Sequence, residues 1–482
     1  MNATSLHFAI VGGGVSGLAA ARALLALGDE RGHGVEVSLF EASSRLGGRI
    51  ASETIAGVAV DLGAESLLAR EESIWDLLSS LGLDRQALVP GTTSASLWNG
   101  RRMVPIPLGS ALGVPPKPWS IQVLRALGIR GALRASLEPW VGHAKPDPDG
   151  PLGPFLSQRF GTAVFARLVD PLIGGVYAGS AAQLSIGAVA PQLLRALELD
   201  ASLLRGLRQQ AVPRPDRSAP SRPTFVSFPD GLGSLVEALR KGLPAGAVHL
   251  DAQVLEVLPA PLPGRIRLRL NGLADVDCDG VVLAIPAPQA ADLVAGTSPE
   301  LGDELRRQEW ASVATVSLVY PESAFSAPLL GSGFLVPRSP RRRVTACTFM
   351  DRKWPHLSRP GQVLLRASVG SAGDDSILTR DDTTVISSVH NDLRSMVGIS
   401  ALPKAAVVRR WQPALPQYRA GHLAWRERAA NLAAALPMPV VLAGASYQGI
   451  GIAACLQSST AAARQLFDRA QRQASAGGPE ST

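Results

Sequence analysis

The 482-residue chain has only three cysteines, Cys278, Cys347 and Cys455, and no CxxC pair among them. Such spacing points away from a disulfide framework or a thiolate metal site and toward buried small thiols; no metal is expected. Lysine is scarce as well. Lys117, Lys145, Lys241, Lys353 and Lys404 are the only lysines among 47 basic residues, so arginine dominates the net charge of +7. A genome-wide composition bias is one reading of that excess. The other is that some arginines bind carboxylates, which match the planar guanidinium fork. No basic block with interleaved aromatics occurs, which argues against nucleic acid. The longest apolar runs, such as 281–285 and 440–445, are too short to span a bilayer. Nothing ahead of Leu6 reads as a signal peptide. A cytoplasmic protein is therefore expected, without a transmembrane segment and with at most weak peripheral membrane contact. An acid–base couple is also missing: none of the seven histidines stands out beside a carboxylate.

What is present begins at once. Residues 6–11 (LHFAIV) read as a buried strand, Gly12-Gly13-Gly14-Val15-Ser16-Gly17 follows, and an Ala-rich helix runs to Leu27. A second strand, 35–40, ends in Glu41, and Arg45-Leu46-Gly47-Gly48-Arg49 comes next. Strand, glycines, helix, strand and acidic terminus form a dinucleotide site: pyrophosphate lies on backbone N–H groups at a helix start, and the carboxylate takes a ribose diol. Glu41, with no arginine in its place, argues against the 2′-phosphate of NADP. NAD and FAD remain, and the RLGGR stretch shifts the balance to FAD. No second GxGxxG follows a strand, so molecular oxygen is the simplest electron acceptor, and an oxidase is expected.

At this length two or three packed units are expected. Periodicity predicts helices over 71–81, 119–143, much of 155–207 with breaks at Gly174-Gly175 and near Gly179, 231–243, and 382–396. Strands are predicted over 248–257, 265–270, 281–285, 313–320, 344–350, 363–369 and 405–411. In 363–369, Leu364, Arg366 and Ser368 share one face, and Leu365, Ala367 and Val369 the other. Residues 211–224 read as a proline-rich polar loop. The last unit is a strand at 440–443, a Gly-rich loop 444–452, and a helix 453–471. Such a loop aims a helix N-terminus at a ligand.

Several segments together resemble a known family. GGGVSG with Glu41 and RLGGR resembles flavoproteins of the amine-oxidase plan. Asp170-Pro171-Leu172-Ile173-Gly174-Gly175-Val176-Tyr177-Ala178-Gly179 with Gln183-Leu184-Ser185 is similar to a segment of the porphyrinogen oxidases. So are Phe228-Pro229-Asp230-Gly231-Leu232, Leu415-Pro416-Gln417-Tyr418 with Gly421-His422, and the stretch from Gly444 to Cys455. Asp61-Leu62-Gly63-Ala64-Glu65-Ser66, Gly113-Val114-Pro115 and Arg352-Lys353-Trp354-Pro355 look closest to the Gram-positive, actinobacterial coproporphyrinogen III oxidases. Protoporphyrinogen IX oxidases are the runner-up.

The resemblance implies an α/β (α+β) fold of amine-oxidase-like architecture: an FAD-binding Rossmann-like domain, a mixed-sheet substrate domain and a helical insertion. The FAD-binding domain would comprise 1–88, 227–305 and 435–472. The substrate domain would comprise 89–101, 206–226 and 306–434. The insertion would be 102–205, and 473–482 a disordered tail. The implied reaction removes six electrons from coproporphyrinogen III as three hydride steps to FAD, with hydrogen peroxide as the by-product. No catalytic acid or base is implied.

Site residues carry over by motif. Gly12, Gly13, Gly14, Val15, Ser16 and Gly17 would meet the pyrophosphate. Glu41 and Ala42 would hold the adenosine ribose, and Val254 the adenine. Gly48 and Arg49 would follow the phosphates and ribityl chain. Gly63, Ala64, Glu65 and Ser66 would pass the flavin, with Trp411 packed beside it and Ile450, Gly451 and Ile452 at its N1–C2=O edge. Gly175 would meet the macrocycle. Ala95 and Ser96 stand where several protoporphyrinogen oxidases carry a propionate-binding arginine. Arg70, Arg101, Arg102, Arg366 and Lys353 are the candidates to replace it. His422 is expected to be structural. An amine oxidase and a non-catalytic porphyrin-binding flavoprotein are the other readings, and the 170–185 segment and intact flavin motifs favour the porphyrinogen oxidase. A ferrochelatase-type heme-pathway partner is compatible with it, and the oligomeric state is left open.

Overall fold

In a computed structural model, the structure describes residues 5–107, 109–141, 144–210, 222–338 and 342–476. Most of the proline-rich loop and the whole tail after Ala476 lie outside them, as does His143 at the end of one predicted helix.

A five-stranded parallel sheet forms the first layer, in the order Val440–Leu442, Gly280–Leu283, Leu6–Val11, Val35–Phe40, Val248–His249. Its strands come from opposite ends of the sequence. The helix Val15–Arg31 leaves the first strand through Gly14 and stops at Gly32, whose φ of 65° is a left-handed cap. It packs beside the last helix, Ile452–Ala476, over a core containing Leu18, Leu24, Leu466 and Phe467, all fully buried. Each such side chain contributes about 1.5–3 kcal/mol of burial.

The sequence 248–257 divides in two. Val248–His249 joins the parallel sheet, while Val254–Pro259 belongs to a separate antiparallel sheet with Ile266–Leu270 and Val276–Cys278. Asp251 at φ 51° turns the chain between them. The chain thereby passes the end of Phe40 twice: Glu41 N–H donates to His249 O, and Ala252 N–H to Glu41 O.

A seven-stranded sheet forms the second layer. Its order is Ala405–Pro416, Trp310–Pro321, Gln362–Val369, Val344–Phe349, Gly333–Leu335, Ser96–Trp98, Met103–Pro105. The alternation in Gln362–Val369 is realised. Leu365, Ala367 and Val369 pack with Val385, Val389 and Leu393 of the helix Asp382–Val397, and Leu364 lies in the cluster on the opposite face. Met103–Pro105 pairs with Ser96–Trp98, so the boundary expected at 102 falls inside a hairpin. The Asn99 side chain holds that turn by accepting from the N–H groups of Arg101 and Arg102.

The third layer is helical. It includes Ile121–Ser136, kinked at Gly128, then Leu152–Phe160, Asp170–Tyr177, Pro191–Leu199 and Leu203–Gln210. Gly174 and Gly175 do not break their helix. It runs through them to Tyr177 and ends at Ala178, whose φ is 48°. Close packing sets the requirement at Gly174, where a Cβ would lie 2.6 Å from the Gly179 carbonyl. The buried Glu138 carboxylate ties this layer together. It pairs with Arg159 at 2.8 Å and accepts from Ser202 Oγ and the N–H groups of Leu203 and Leu204 at a helix start.

Candidate active site

One long cleft of about 980 Å³ runs between the layers. Both Gly-rich loops line it, at the C-terminal ends of the parallel strands Leu6–Val11 and Val440–Leu442, where a Cβ at Gly444 would lie 3.2 Å from Ser16 Oγ. Gly12, Gly14, Val15, Ser16, Glu41, Ala42, Gly48, Arg49, Gly63, Ala64, Val254, Trp411, Ile450 and Ile452 line it. Gly175 reaches it from the helical layer, and Arg366 and Ser368 from the large sheet.

The remaining predicted residues lie outside the lining, for separate reasons. Gly17 sits beneath the turn, where a Cβ would come 1.9 Å from Gly12 O. Gly13 spends its N–H on Glu41 Oε2 at 2.7 Å, and Ser43 binds the other carboxylate oxygen. Ser66 is half-buried away from the lining, and Gly451 is exposed. Arg70, Arg101 and Arg102 are exposed and do not reach the cleft. Glu65 and Lys353 are locked together: Lys353 Nζ lies 2.5 Å from Glu65 Oε1, and Arg366 Nη2 lies 2.6 Å from Oε2. Burial pushes the Glu65 pKa up, but Arg366 and Lys353 outweigh it and hold the carboxyl below its ordinary range. Arg366 also donates to the carbonyls of Asp61 and Gly63 at 2.8 Å each. Its guanidinium thus staples the 61–65 segment to the sheet, and Lys353 is consumed as a counter-charge.

Sequence reasoning missed several lining residues. Trp310 stacks under the Arg49 guanidinium, with 4.8 Å from Cζ to the ring centre. Arg45 and Arg409 bring further positive charge, and Thr315, Gln412 and Pro413 complete the wall. Arg45 was visible in the RLGGR stretch, but its side chain bends back onto the carbonyls of Leu46, Gly48 and Ile50. Nothing in the local sequence around Trp310 or Arg409 marks either.

The family profile described as flavin containing amine oxidoreductase matches residues 15–467. The chain belongs to that family. A coproporphyrinogen III oxidase of Bacillus subtilis is 32% identical to this chain over 462 residues, covering 95% of this chain and 97% of that one. One of Mycobacterium tuberculosis is 32% identical over 470 residues, covering 96% and 98%. A crystal structure from an Exiguobacterium species, provisionally named a protoporphyrinogen oxidase, superposes with a TM-score of 0.84 at 30% identity, covering 97% of this chain and all of that one.

The cofactor of this family member is FAD, and the cleft fits it. A Cβ at Gly14 would meet nothing within 4 Å, so that backbone faces open space at the helix start. No side chain caps the helix Val15–Arg31, which leaves its first N–H groups for a phosphate. Arg49 is half-buried, its pKa lowered by burial to about 10, and its Nε has no hydrogen-bond partner. Cys455 also lines the cleft, but burial pushes its thiol up to about 11, which leaves it inert. Among the described residues, no cluster of His, Cys, Asp and Glu could hold a metal.

Proposed function

We propose that this flavoprotein oxidises coproporphyrinogen III to coproporphyrin III in heme biosynthesis, with oxygen as electron acceptor and a cytoplasmic location. The observation that carries the reading is the 32% identity to named coproporphyrinogen III oxidases over almost the whole of both chains. Bound FAD would supply the hydride acceptor, and oxygen would carry the electrons on to hydrogen peroxide.

The rest is the work of the chain. Gly12, Gly14 and Ser16 would hold the diphosphate, Glu41 the ribose, and Val254 the adenine. Arg49 would bring its unpartnered Nε to the phosphate or ribityl oxygens. Ile450 and Ile452 would flank the ring edge, with Trp411 on the ring. Gly175, which reaches the cleft while its Cβ direction faces Leu335 Cδ2 at 3.1 Å, would bring backbone to the macrocycle. Of the arginine candidates, Arg366 is the one that lines the cleft, although Glu65 already engages it. Aromatisation of the macrocycle drives the reaction, so orientation and exclusion of water are the main demands on the protein. Among the described residues that line the cleft there is no histidine to serve as an acid–base group, in keeping with those demands. A heme-pathway partner of ferrochelatase type belongs to the same proposal.

Protoporphyrinogen IX is the second candidate substrate, favoured by the name of the Exiguobacterium relative. The test is direct. The purified protein is examined for a flavin spectrum, then given coproporphyrinogen III, protoporphyrinogen IX or an amine under air. Porphyrin fluorescence with stoichiometric peroxide supports the proposal, and kcat/KM ranks the substrates. A flavin-loaded protein that oxidises only the amine would overturn it.

A further inference from the structure

The Gly-rich 444–451 loop must hold its shape at one end of the cleft, yet it has few side chains to stiffen itself. Its stiffness comes from a segment about thirty residues earlier. The Tyr418 hydroxyl donates to Ala445 O and accepts from Gly449 N–H at 2.8 Å, so one hydroxyl spans the loop. His422 Nε2 lies 3.2 Å from Tyr447 O. A carbonyl can only accept, so the neutral imidazole presents its N–H there. The rings reinforce these bonds. Tyr418 and His422 stack with centres 3.9 Å apart, and Trp425 stacks on both His422 and Tyr447.

Both residues are also tied to the helical layer. Tyr418 O accepts from Ser185 N at 2.7 Å, and its ring meets Tyr177, which ends the helix bearing Gly175. Asp149 caps the helix His422–Ala435 by accepting from the N–H groups of Leu423 and Ala424, while Ser185 Oγ donates to it. Neither Tyr418 nor His422 lines the cleft.

We propose that Tyr418 and His422 are positioning residues that fix the 444–450 loop against the edge of the flavin ring, and so set the reduction potential of the cofactor and the turnover step. The proposal rests on the placement of the ring edge at Ile450–Ile452 given above. A loop held in place presents its dipoles without reorganisation when charge develops on the ring; a loop freed to relax does not.

The test compares holoenzymes. Tyr418→Phe keeps the ring stack and removes the hydroxyl. His422→Phe keeps a stacked ring and removes the donor, whereas His422→Gln restores an N–H donor. The flavin potential is read by dye-coupled reduction, alongside kcat, KM and thermal stability. For Tyr418→Phe and His422→Phe we expect FAD to stay bound, KM to hold within about twofold, and kcat to fall about tenfold. The reduction equilibrium should shift by about tenfold, which is about 30 mV for a two-electron couple. His422→Gln should recover most of the potential. Variants that lose thermal stability while potential and kcat stay at wild-type values would overturn the proposal and leave a packing role only. If Tyr418→Phe does not fold, the His422 pair decides. Shifted potentials in a protein that oxidises no porphyrinogen would sink the proposed function and leave the positioning role standing.

Discussion

Acidification should weaken this fold through His422. Burial pushes the pKa of its imidazole from 6.5 down to about 4, and the Arg426 charge adds to that; the Tyr447 carbonyl and Asp149 pull the other way without winning. In the unfolded chain the same ring takes a proton near its ordinary value of about 6.5. Between the two values the unfolded state binds more protons than the folded one. Stability held in full above pH 6.5 is therefore lost as pH falls toward 4. At about 1.4 kcal/mol per unit, the gap limits the loss to about 3 kcal/mol. Guanidinium unfolding of the wild type and His422→Gln isolates the effect, because groups common to both cancel in the difference. Between about pH 7 and about pH 4.5 that difference should move against the wild type by about 2 kcal/mol. Carbon-13 NMR of labelled histidine, assigned with the variant, should show the His422 resonance untitrated through neutral pH. A midpoint near its ordinary value, or a difference independent of pH, would refute the reasoning.

Two glycines separate steric from ligand effects. Gly17→Ala drives a methyl to 1.9 Å from Gly12 O, so the turn must shift, and FAD affinity and stability should fall together. Gly14→Ala places its methyl in open space at a φ of −74°, so stability without cofactor should hold within about 0.5 kcal/mol while FAD affinity, read by titrating apoprotein, falls. Glu41→Ala frees Gly13 N–H and removes the ribose acceptor, so the purified protein should carry less flavin; unchanged occupancy would count against that role. Glu65→Gln leaves Arg366 and Lys353 without their shared carboxylate in a buried site, at a cost of about 3 kcal/mol measured by thermal or denaturant unfolding. A neutral outcome would mean that water or the Asp61 and Gly63 carbonyls suffice for Arg366.

The two Gly-rich units were legible because each is local. GGGVSG, Glu41 and the 440–452 unit declare strand, turn and helix within short windows, and two-fold alternation puts Arg366 on the opposite face from Leu365. Long-range pairing was not legible. Nothing near Glu65 announces Lys353, which lies 288 positions away, and the pair removes a cation that the sequence offered to substrate. Two-residue strands such as Val248–His249 exist only because a neighbouring strand end holds them. The Gly174-Gly175 pair reads as a helix break because glycine usually is one; here a Cβ at Gly174 would meet the Gly179 carbonyl and one at Gly175 the Leu335 side chain. Tyr418 and His422 were visible as a motif, but their joint grip on 445–449 is a property of tertiary packing.

The parallel sheet has a chronology as well as a topology. Leu6–Val11 and Val15–Arg31 leave the ribosome well ahead of the strand Val440–Leu442 and the helix Ile452–Ala476 that packs on Val15–Arg31. At roughly 5–20 residues per second, the first helix waits roughly 20–85 s for its partner. During that time Leu18 and Leu24 lack the apolar surface that finally covers them. A nascent chain stalled short of residue 440 has the 12–17 turn without the neighbouring 444–452 loop. On the proposed site, flavin capture would wait for synthesis of the 444–452 loop.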